Sequence, residues 1–385
     1  MKVIISSDSV KFPLTGIGRY TYELITAFKG LNSIHDLKFL NGFSVVDELK
    51  YGHEISSATS VNSLKSNIVS FLRKGPAADV YRVLSPYLKS KALSSYEDHI
   101  FHGTNFYVPK FIGKSISTFH DLSPFTMPHC IEPKRRDFLQ KQLSETVKNA
   151  TFFITDTEYT KAEFINYFGI PDSRVQAVHL ACDDSFQVRS ETQLSEILTK
   201  YELKYQSFTL CVCTIEPRKN IEVLLDAYSR LPDKIKIKYP LVLVGHEGWC
   251  SEKIHEKLSR YQNEGWLKYL RFVHHDDLPL IYSAARLFVF PSLYEGFGLP
   301  VLEAMSSGVP VITSNASCLP EVAGESALFF HPQDAEDLQF KLGEVLEDDE
   351  KLLLYRQLGL SRSQHFSWQR CAQETLDVYK KLSAL

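Results

Sequence analysis

The sequence has no apolar run that approaches the roughly 20 residues needed to span a bilayer. Its start, Met1 to Asp8, is too short and too soon acidic for a signal peptide, so we expect a cytoplasmic protein. A net charge of -3 gives no reason to expect a nucleic-acid partner. The seven cysteines are odd in number and scattered, which predicts buried thiols and neither disulfide bridges nor a zinc site.

The sequence also contains no Asp-x-Asp, the carboxylate pair that commonly holds a divalent ion against a diphosphate. If the protein binds a diphosphate, cationic side chains and backbone amides must therefore neutralise it. We expect no metal ion and no other cofactor.

What is present describes an ordinary α/β protein. At 385 residues, 44% hydrophobic and 23% charged, the chain is long enough for two globular domains with separate cores. Short β-rich runs alternate with helical patterns, such as Arg19–Lys29, Pro133–Lys148 and Tyr159–Phe168, which predicts two parallel, doubly wound sheets. The predicted strands are Lys2–Ser7, Leu37–Leu40, His99–His102, Ile116–Phe119, Phe152–Thr155, Arg174–Val178, Leu210–Thr214, Leu241–Gly245, Leu270–Val273, Leu287–Phe290 and Val311–Thr313.

The two halves predict two domains that face each other. We assign residues 1–183 to the first and 184–366 to the second, with the polar stretch from about Asp183 to Gln206 as the linker. Ligands of open parallel sheets bind beyond the carboxyl ends of the strands. We therefore expect the functional site in the cleft between the domains.

The stretch Glu295-Gly-Phe-Gly-Leu-Pro-Val-Leu-Glu303 places two carboxylates around a turn that opens a helix, since Pro300 suits a first helical turn. The turn lets backbone N–H groups approach a ligand, and the helix start favours phosphate. The two carboxylates would accept hydrogen bonds from sugar hydroxyls. A plain turn with solvated acids is the alternative. The candidate ligand contacts are Glu295, Gly296, Phe297, Gly298, Leu299 and Glu303.

Two cations follow the predicted strand that ends at Thr214. They lie in Glu216-Pro-Arg-Lys-Asn220, where Asn220 is placed as a helix cap. Arg218 offers planar donors for two oxygens and Lys219 a compact charge, so together they could neutralise a diphosphate. A solvated basic turn is the alternative.

Gly16 and Gly18 follow the first strand and match only part of a dinucleotide fingerprint, because Thr21 occupies the place of its third glycine. The pattern is weak evidence for NAD and fair evidence for close backbone approach to an anion. A plain tight turn is the alternative.

Polar residues also follow two other strands of the first half. His120 could hydrogen-bond a sugar and Asp121 could orient it, although a packed or capping histidine is the alternative. His102 and Asn105, at the preceding strand end, are weaker candidates for the acceptor side.

Basic and apolar residues mix between Ser63 and Leu93, and Lys134, Arg135 and Arg136 add a second basic patch. Such surfaces can rest on an anionic membrane, although a solvated helical face is the alternative. The basic residues of the first segment are Lys65, Arg73, Lys74, Arg82, Lys89 and Lys91.

Together these motifs resemble glycosyltransferase family four, whose members are retaining enzymes of the GT-B fold, with two Rossmann-like domains facing across a cleft. The likeness extends from the first strand to Phe366-Ser-Trp368, and the two-glutamate stretch is its most specific part. The motifs that carry it are Gly16-Ile-Gly18, His120-Asp121, Glu216-Pro-Arg-Lys-Asn220, Val244-Gly245 and Glu295 to Glu303.

The resemblance implies a role for each matching residue. Arg218 and Lys219 would hold the donor diphosphate, and Glu303 the ribose. Glu295 and His120 would contact the transferred sugar, and the strand end around Val273 would pair with the base through its backbone. Gly16 and Gly18 would approach the phosphates, and a helix at 367–385 would pack back on the first domain.

A less specific likeness, in His120-Asp-Leu-Ser-Pro124 and Pro133-Lys-Arg-Arg136, points to bacterial mannosyltransferases of O-antigen synthesis. The donor would be GDP-mannose and the acceptor a polyprenyl-diphosphate-linked glycan, reached from the inner face of the plasma membrane. A UDP-sugar donor, a non-catalytic nucleotide- or glycan-binding subunit and an NAD-dependent oxidoreductase are the alternatives. Base, sugar, acceptor, linkage, number of sugars added and oligomeric state stay open.

Overall fold

The computed structural model describes residues 1–12, 14, 16–31, 33–49, 76–249 and 252–384. Within this part of the chain the strands form two sheets that follow one another in sequence. The strands β1 to β13 are Lys2–Ser6, Asp36–Asn41, Ser44–Val46, Ile100–Gly103, Ser115–Phe119, Phe152–Thr155, Val175–Ala177, Thr209–Val212, Leu241–Val244, Leu267–Leu270, Leu287–Phe290, Val311–Ser314 and Leu328–Phe330.

Helices cover both sheets, and several begin at a residue whose side chain caps the first turn. Thr157, Asp334 and Ser367, for example, accept hydrogen bonds from backbone N–H groups of the helices that follow them. The helices α1 to α15 are Gly16–Phe28, Pro76–Leu93, Ser123–Thr126, Pro133–Asn149, Glu158–Phe168, Glu191–Lys200, Ile221–Ser229, Asp233–Lys238, Glu252–Asn263, Leu278–Ala284, Leu299–Ser306, Leu319–Ala323, Ala335–Leu346, Asp349–Ser363 and Trp368–Ser383.

The first sheet has the order β3-β2-β1-β4-β5-β6-β7 among the described residues. Its strands run parallel except β3, which pairs antiparallel with β2. The chain order reverses between β1 and β4, so a crevice for a ligand is expected beyond the carboxyl ends of these two strands. The helices and loops that cover this sheet complete the first domain.

The second sheet repeats this plan with the order β10-β9-β8-β11-β12-β13, all parallel. Its switch point lies between β8 and β11. All four residues of β11 are buried, as expected for a strand covered on both faces, and Pro291 follows it directly. The segments that leave β8 and β11 carry Arg218 and Glu295, so the fold brings these two residues to one edge of the second domain.

The last helix belongs spatially to the first domain. Its Tyr379 hydroxyl lies 2.7 Å from Nδ1 of His102 on β4, and its ring lies 5.6 Å from that of Phe28 on α1. Trp368 and Leu382 of α15 are buried in a core that also contains Val3 of β1. Burial of this apolar face holds the end of the chain on the first sheet.

Most predicted strands are present, and two predictions about this part of the chain need correction. The tenth strand is Leu267–Leu270, so Val273 lies in the loop beyond it. The predicted linker contains α6, whose Leu194 and Ile197 are buried in the second core. The strands β3 and β13, each three residues long, were not predicted.

Candidate active site

Four charged side chains meet at the switch point of the second sheet: Glu216, Arg218, Lys219 and Glu295, referred to below as the charge cluster. Lys219 Nζ lies 2.5 Å from Glu295 Oε1, and Arg218 Nη1 lies 3.0 Å from Glu295 Oε2. Glu295 is only 8% exposed and Glu216 only 2%. Two cations therefore hold one buried carboxylate from both sides.

Arg218 is fixed by more than Glu295. Its Nε and Nη2 atoms donate to Glu216 Oε1 at 3.1 and 2.9 Å, and Nη1 donates to the backbone oxygen of Tyr294 at 2.8 Å. A planar guanidinium bonded on three nitrogens has one orientation available. Glu216 is thus part of the site. The sequence predicted no role for it beyond its place in the motif beside the two cations.

The backbone positions both cations. Residues Pro217–Lys219 form a single 3-10 turn, and Asn220 ends it in the left-handed conformation, with φ of 57°. The Asn220 amide donates to the backbone oxygens of Pro291 and Pro332 at 3.0 and 2.7 Å. Asn220 therefore ties the turn after β8 to the segment after β11, in place of the side-chain helix cap that the sequence predicted.

The electrostatics of Glu295 follow from this packing. Burial favours the neutral form, but Lys219 and Arg218 outweigh it and lower the pKa of Glu295 to about 2. Ser292 Oγ also donates to Glu295 Oε1 at 2.6 Å. Glu295 is therefore ionised at every physiological pH. Burial opposes the charged form of Arg218, but Glu295, Asp121 and Glu216 outweigh it and raise the pKa of Arg218.

Glu303 differs from Glu295 although both belong to the same motif; Glu303 lies about one turn into α11. Burial raises its pKa to about 7, against smaller opposing effects of Tyr282 and Arg19. Gly298 precedes α11 with a φ of 94°, a conformation that favours glycine. Glu303 is thus close to half ionised at neutral pH.

Gly296 serves a contact that the sequence did not predict. A Cβ atom on it would lie 1.6 Å from the backbone oxygen of His120 in the first domain. Its own backbone oxygen accepts from the hydroxyls of Thr157 and Thr160 at 3.0 and 3.2 Å. The glycine is therefore required by the packing of the two domains, whatever its backbone N–H offers a ligand; that contact stays a prediction.

Packing also explains Gly18 and the apolar residues of the motifs, but not Gly16. A Cβ atom on Gly18 would lie 2.6 Å from the backbone oxygen of Ser9, whereas one on Gly16 would meet nothing within 4 Å. The Phe297 side chain is buried in the core shared with α15, with Leu299 packed against it. These two residues can offer a donor only their backbone.

His120 is bonded entirely within the first domain. Its Nδ1 lies 2.8 Å from Asp156 Oδ2, and its Nε2 lies 2.8 Å from the backbone oxygen of Thr104. Burial lowers the pKa of His120, but Asp156 outweighs burial and the net shift is upward. A sugar contact through either nitrogen requires one of these bonds to break.

Asp121 does not orient His120, which corrects the prediction. Its carboxylate instead accepts from the backbone N–H and the hydroxyl of Ser123 at 2.9 and 2.7 Å, at the start of α3. Asp156 has the orienting position. It follows β6 at the same edge of the sheet, and this shared position is the signal that could have identified it.

Of the two weaker candidates in the first domain, one is buried and the other is exposed. His102 is fully buried and bonded to Tyr379 and Thr118, so it cannot reach an acceptor and that prediction is wrong. Asn105 is exposed and lines a cavity of about 300 Å³ beyond the ends of β1 and β4. Its other polar walls include Gln142 of α4 and Tyr107.

Glu321 of α12 joins the domains. Its carboxylate accepts from the backbone N–H groups of Glu158 and Tyr159, both at 2.9 Å, at the start of α5. It also lies 2.7 Å from Nε2 of His179. Glu321 of the second domain thus caps a helix of the first.

Two further observations concern metals and membranes. In the described part of the chain, His274, His275 and Asp276 form the group that brings three metal-ligating atoms within 4.8 Å of one another, and all three residues are exposed. In the same residues no helix has both the length and the apolar character needed to cross a bilayer. Cys211 and Cys213 are buried free thiols, as the sequence predicted.

Comparisons with known proteins identify the family. A family model described as "Glycosyl transferases group 1" matches residues 196–362. The chain is also 39% identical over 383 residues to O-antigen chain mannosyltransferase B of Escherichia coli, covering 99% of this chain and 100% of that protein. The chain belongs to the group 1 glycosyl transferases.

Other relatives of this glycosyl transferase agree. The serotype-specific mannosyltransferase WbdA of Escherichia coli is 36% identical over 281 residues, which cover 70% of this chain and 34% of that longer protein. Among solved structures, sucrose-phosphate synthase of Thermosynechococcus elongatus covers 100% of both chains at 19% identity, with a TM-score of 0.71. The structure of HepE of Anabaena in complex with UDP-glucose covers 100% of both chains at 16% identity, with a TM-score of 0.69. The GT-B fold predicted from the sequence is confirmed.

Proposed function

We propose that this glycosyl transferase moves mannose from GDP-mannose to a hydroxyl of a lipid-linked glycan, with retention of anomeric configuration, in the synthesis of O-antigen. The observation that carries the proposal is the charge cluster at the switch point of the second sheet, where ligands of such sheets bind. Mannose is favoured because three relatives, which are 39%, 36% and 22% identical to this chain over the matched residues, are named mannosyltransferases of O-antigen or of a serotype.

The chemistry follows from the charges. When the bond between the sugar C1 and the phosphate oxygen breaks, negative charge grows on the departing diphosphate. Arg218 and Lys219 would stabilise that charge, since both are held in place before the substrate binds. The acceptor oxygen then bonds to C1 on the face that the phosphate leaves, and its proton passes to the leaving phosphate. No separate protein base is required.

We propose that the reaction needs no metal ion. Arg218 and Lys219 supply two positive charges at the edge where the diphosphate would lie, which is the role that a divalent ion has in other transferases. Glu216 and Glu295 formally balance both of these charges, so the diphosphate would be held by directed hydrogen bonds from the two cations together with the backbone N–H groups at the start of α11.

The acceptor would enter the cavity beyond β1 and β4. Its walls offer the side-chain amides of Asn105 and Gln142, which both donate and accept hydrogen bonds as sugar hydroxyls do. The Tyr107 hydroxyl on the same wall is buried and has no hydrogen-bond partner among the described residues. A buried polar group of this kind favours a hydroxyl-rich ligand.

The lipid part of the acceptor would stay in the membrane, with the first domain resting on its inner face. Leu84, Tyr87 and Leu88 are 48%, 68% and 36% exposed on one side of α2, and Lys91 lies one turn further. Lys65, Arg73 and Lys74 lie outside the described residues. In the second basic patch, Arg135 already stacks on Trp249 and Arg136 pairs with Asp137, which weakens that patch as a lipid contact.

The membrane contact can be tested by sedimentation with vesicles that contain phosphatidylglycerol. We expect the wild-type protein to sediment with them and Tyr87→Ser to do so less. Phe340→Ser removes an exposed aromatic residue from the second domain and serves as the control. Equal sedimentation of all three proteins would contradict a contact through α2.

The function is tested by incubating the protein with GDP-mannose and a synthetic polyprenyl-diphosphate-linked glycan, with and without EDTA. We expect GDP release that depends on the acceptor and is unchanged by EDTA, and an α-linked product by NMR. Release of UDP from a UDP-sugar, but not of GDP, would replace the donor. Nucleotide binding without any transfer would instead indicate a non-catalytic subunit.

A further inference from the structure

Tyr294 directly precedes Glu295 and reaches into the other domain. Its hydroxyl donates to Glu163 Oε2 of α5 at 2.5 Å and accepts from the backbone N–H of Leu122 at 3.0 Å. The side chain is only 4% exposed. One buried hydroxyl of the second domain thus makes two hydrogen bonds to the first.

The backbone of Tyr294 belongs to the charge cluster. Its carbonyl oxygen accepts from Arg218 Nη1 at 2.8 Å, and the same nitrogen bonds Glu295 Oε2 at 3.0 Å. The contact between the domains and the orientation of Arg218 therefore share one residue. A shift of Tyr294 would move the oxygen that holds Arg218 and the loop that carries Glu295.

We propose that the Tyr294 hydroxyl is a positioning group, which couples the packing of the two domains to the orientation of Arg218 and Glu295 toward the donor. The inference rests on the proposed function, because it concerns the transfer step. Electrostatic stabilisation depends on groups held in place before the reaction, and a displacement of about 1 Å can cost a large part of the rate.

A phenylalanine at 294 would fill nearly the same volume, so packing alone does not explain the hydroxyl. It would leave the buried N–H of Leu122 and the carboxylate of Glu163 without this partner. That loss costs stability whether the hydroxyl has a positioning role or only a structural one. Positioning predicts more: turnover should fall by a larger factor than nucleotide affinity, because the charge that Arg218 must stabilise grows only as the bond between sugar and phosphate breaks.

The test compares Tyr294→Phe with wild type at a temperature well below both melting points. We expect kcat to fall about tenfold, the order expected for loss of one buried hydrogen bond, with KM for GDP-mannose and the dissociation constant of GDP within about twofold. Glu163→Gln should keep most of the activity, because its amide oxygen still accepts from Tyr294. Tyr159→Phe is the control, since the Tyr159 hydroxyl lies 3.5 Å from the other oxygen of Glu163.

The double variant Tyr294→Phe with Glu163→Leu distinguishes positioning from general damage. If the two residues act as a unit, the double variant should be no slower than Tyr294→Phe alone. The proposal would be overturned by an unchanged kcat in Tyr294→Phe or by an equal loss of kcat in Tyr159→Phe. It would also be overturned if the losses of kcat in Tyr294→Phe and in Glu163→Leu added fully in the double variant. If wild type does not use GDP-mannose, the donor proposal fails, and the same variants are compared with the nucleotide sugar that wild type turns over.

Discussion

The two sheets end in switch points of the same topology and opposite chemistry. Beyond β8 and β11 lies the charge cluster, four buried or half-buried charges bonded to one another. Beyond β1 and β4 lies an open cavity whose walls include the uncharged side chains of Asn105, Tyr107 and Gln142, with a single ion pair between Lys89 and Asp8. The doubly wound plan supplies the position of a ligand, and the residues that follow the strands decide its chemistry.

The difference fits the two substrates of a glycosyl transferase. A diphosphate needs fixed positive charge, and the cations of the second edge are held by hydrogen bonds before it arrives. A glycan is neutral and rich in hydroxyls, which suits the amides of the first edge. Each prediction below changes one edge and leaves the other intact.

The largest effect should come from the cations of the second edge. We expect Arg218→Ala or Lys219→Ala to lower turnover by roughly two to three orders of magnitude, as for loss of one preorganised stabilising group. Turnover of GDP-mannose measures this, with Arg230→Ala as the control because Arg230 makes an exposed pair with Glu336. Near-normal turnover in both variants would contradict the assignment.

Arg218→Ala also leaves Glu216 and Glu295 buried with less positive charge around them. Loss of one partner of a buried pair commonly costs about 3–5 kcal/mol of stability. Thermal unfolding should therefore accompany the kinetics. Arg218→Lys keeps the charge but not the bidentate geometry, so a stable Arg218→Lys protein with low turnover would identify geometry as the important factor.

An intermediate effect should come from the first edge. We expect Gln142→Ala to raise KM for the glycan acceptor about three- to tenfold, because one hydrogen bond is lost, and to leave GDP affinity unchanged. Gln140→Ala is the control on the same helix, since Gln140 donates to the backbone oxygen of Pro124 and does not line the cavity. A loss of GDP affinity in Gln142→Ala would show that the two edges do not divide the substrates in this way.

The smallest effect should be a pH dependence within the second edge. The pKa of Glu303 is raised from 4.5 to about 7, so the folded protein holds this proton more tightly than the unfolded chain. The stability that Glu303 contributes is therefore complete below about pH 4.5 and is lost as pH rises through 7. Glu295, with its pKa lowered to about 2, should stay ionised throughout this range.

If the ionised Glu303 accepts a hydrogen bond from the ribose, GDP affinity should rise several-fold between pH 6 and pH 8. Calorimetry of wild type and Glu303→Gln at both pH values measures this. The variant is needed as the reference because GDP itself titrates near this range. The same pH dependence in both proteins would exclude Glu303 as the source.

The sequence predicted the second edge better than the first. Arg218, Lys219 and Glu295 each follow a recognisable strand of one sheet, and the ends of parallel strands share an edge, so their approach could be expected. The partners of Gly296 and Tyr294 could not, because they lie in the other domain and no local spacing encodes the distance between two domains.

For two predictions that the structure corrects, the sequence contains a signal that favours the observed structure. The polarity of the stretch that contains α6 predicts a linker, yet its Leu194, Ile197 and Leu198 have helical spacing, and Gln193 accepts from the backbone N–H of Ser190 as in a capping box. Proximity in sequence predicts Asp121 as the partner of His120, whereas the structure places Asp156 there. Position at a strand end was the better guide than proximity in sequence.

The central claim is that the charge cluster receives the nucleotide diphosphate without a metal ion. A crystal structure of the wild-type enzyme with GDP, grown with EDTA, tests it most directly. We predict phosphate oxygens within about 3 Å of the Arg218 guanidinium and of Lys219 Nζ, at ordinary hydrogen-bond distance. GDP bound with its phosphates remote from both cations, or in the cavity of the first domain, would contradict the claim.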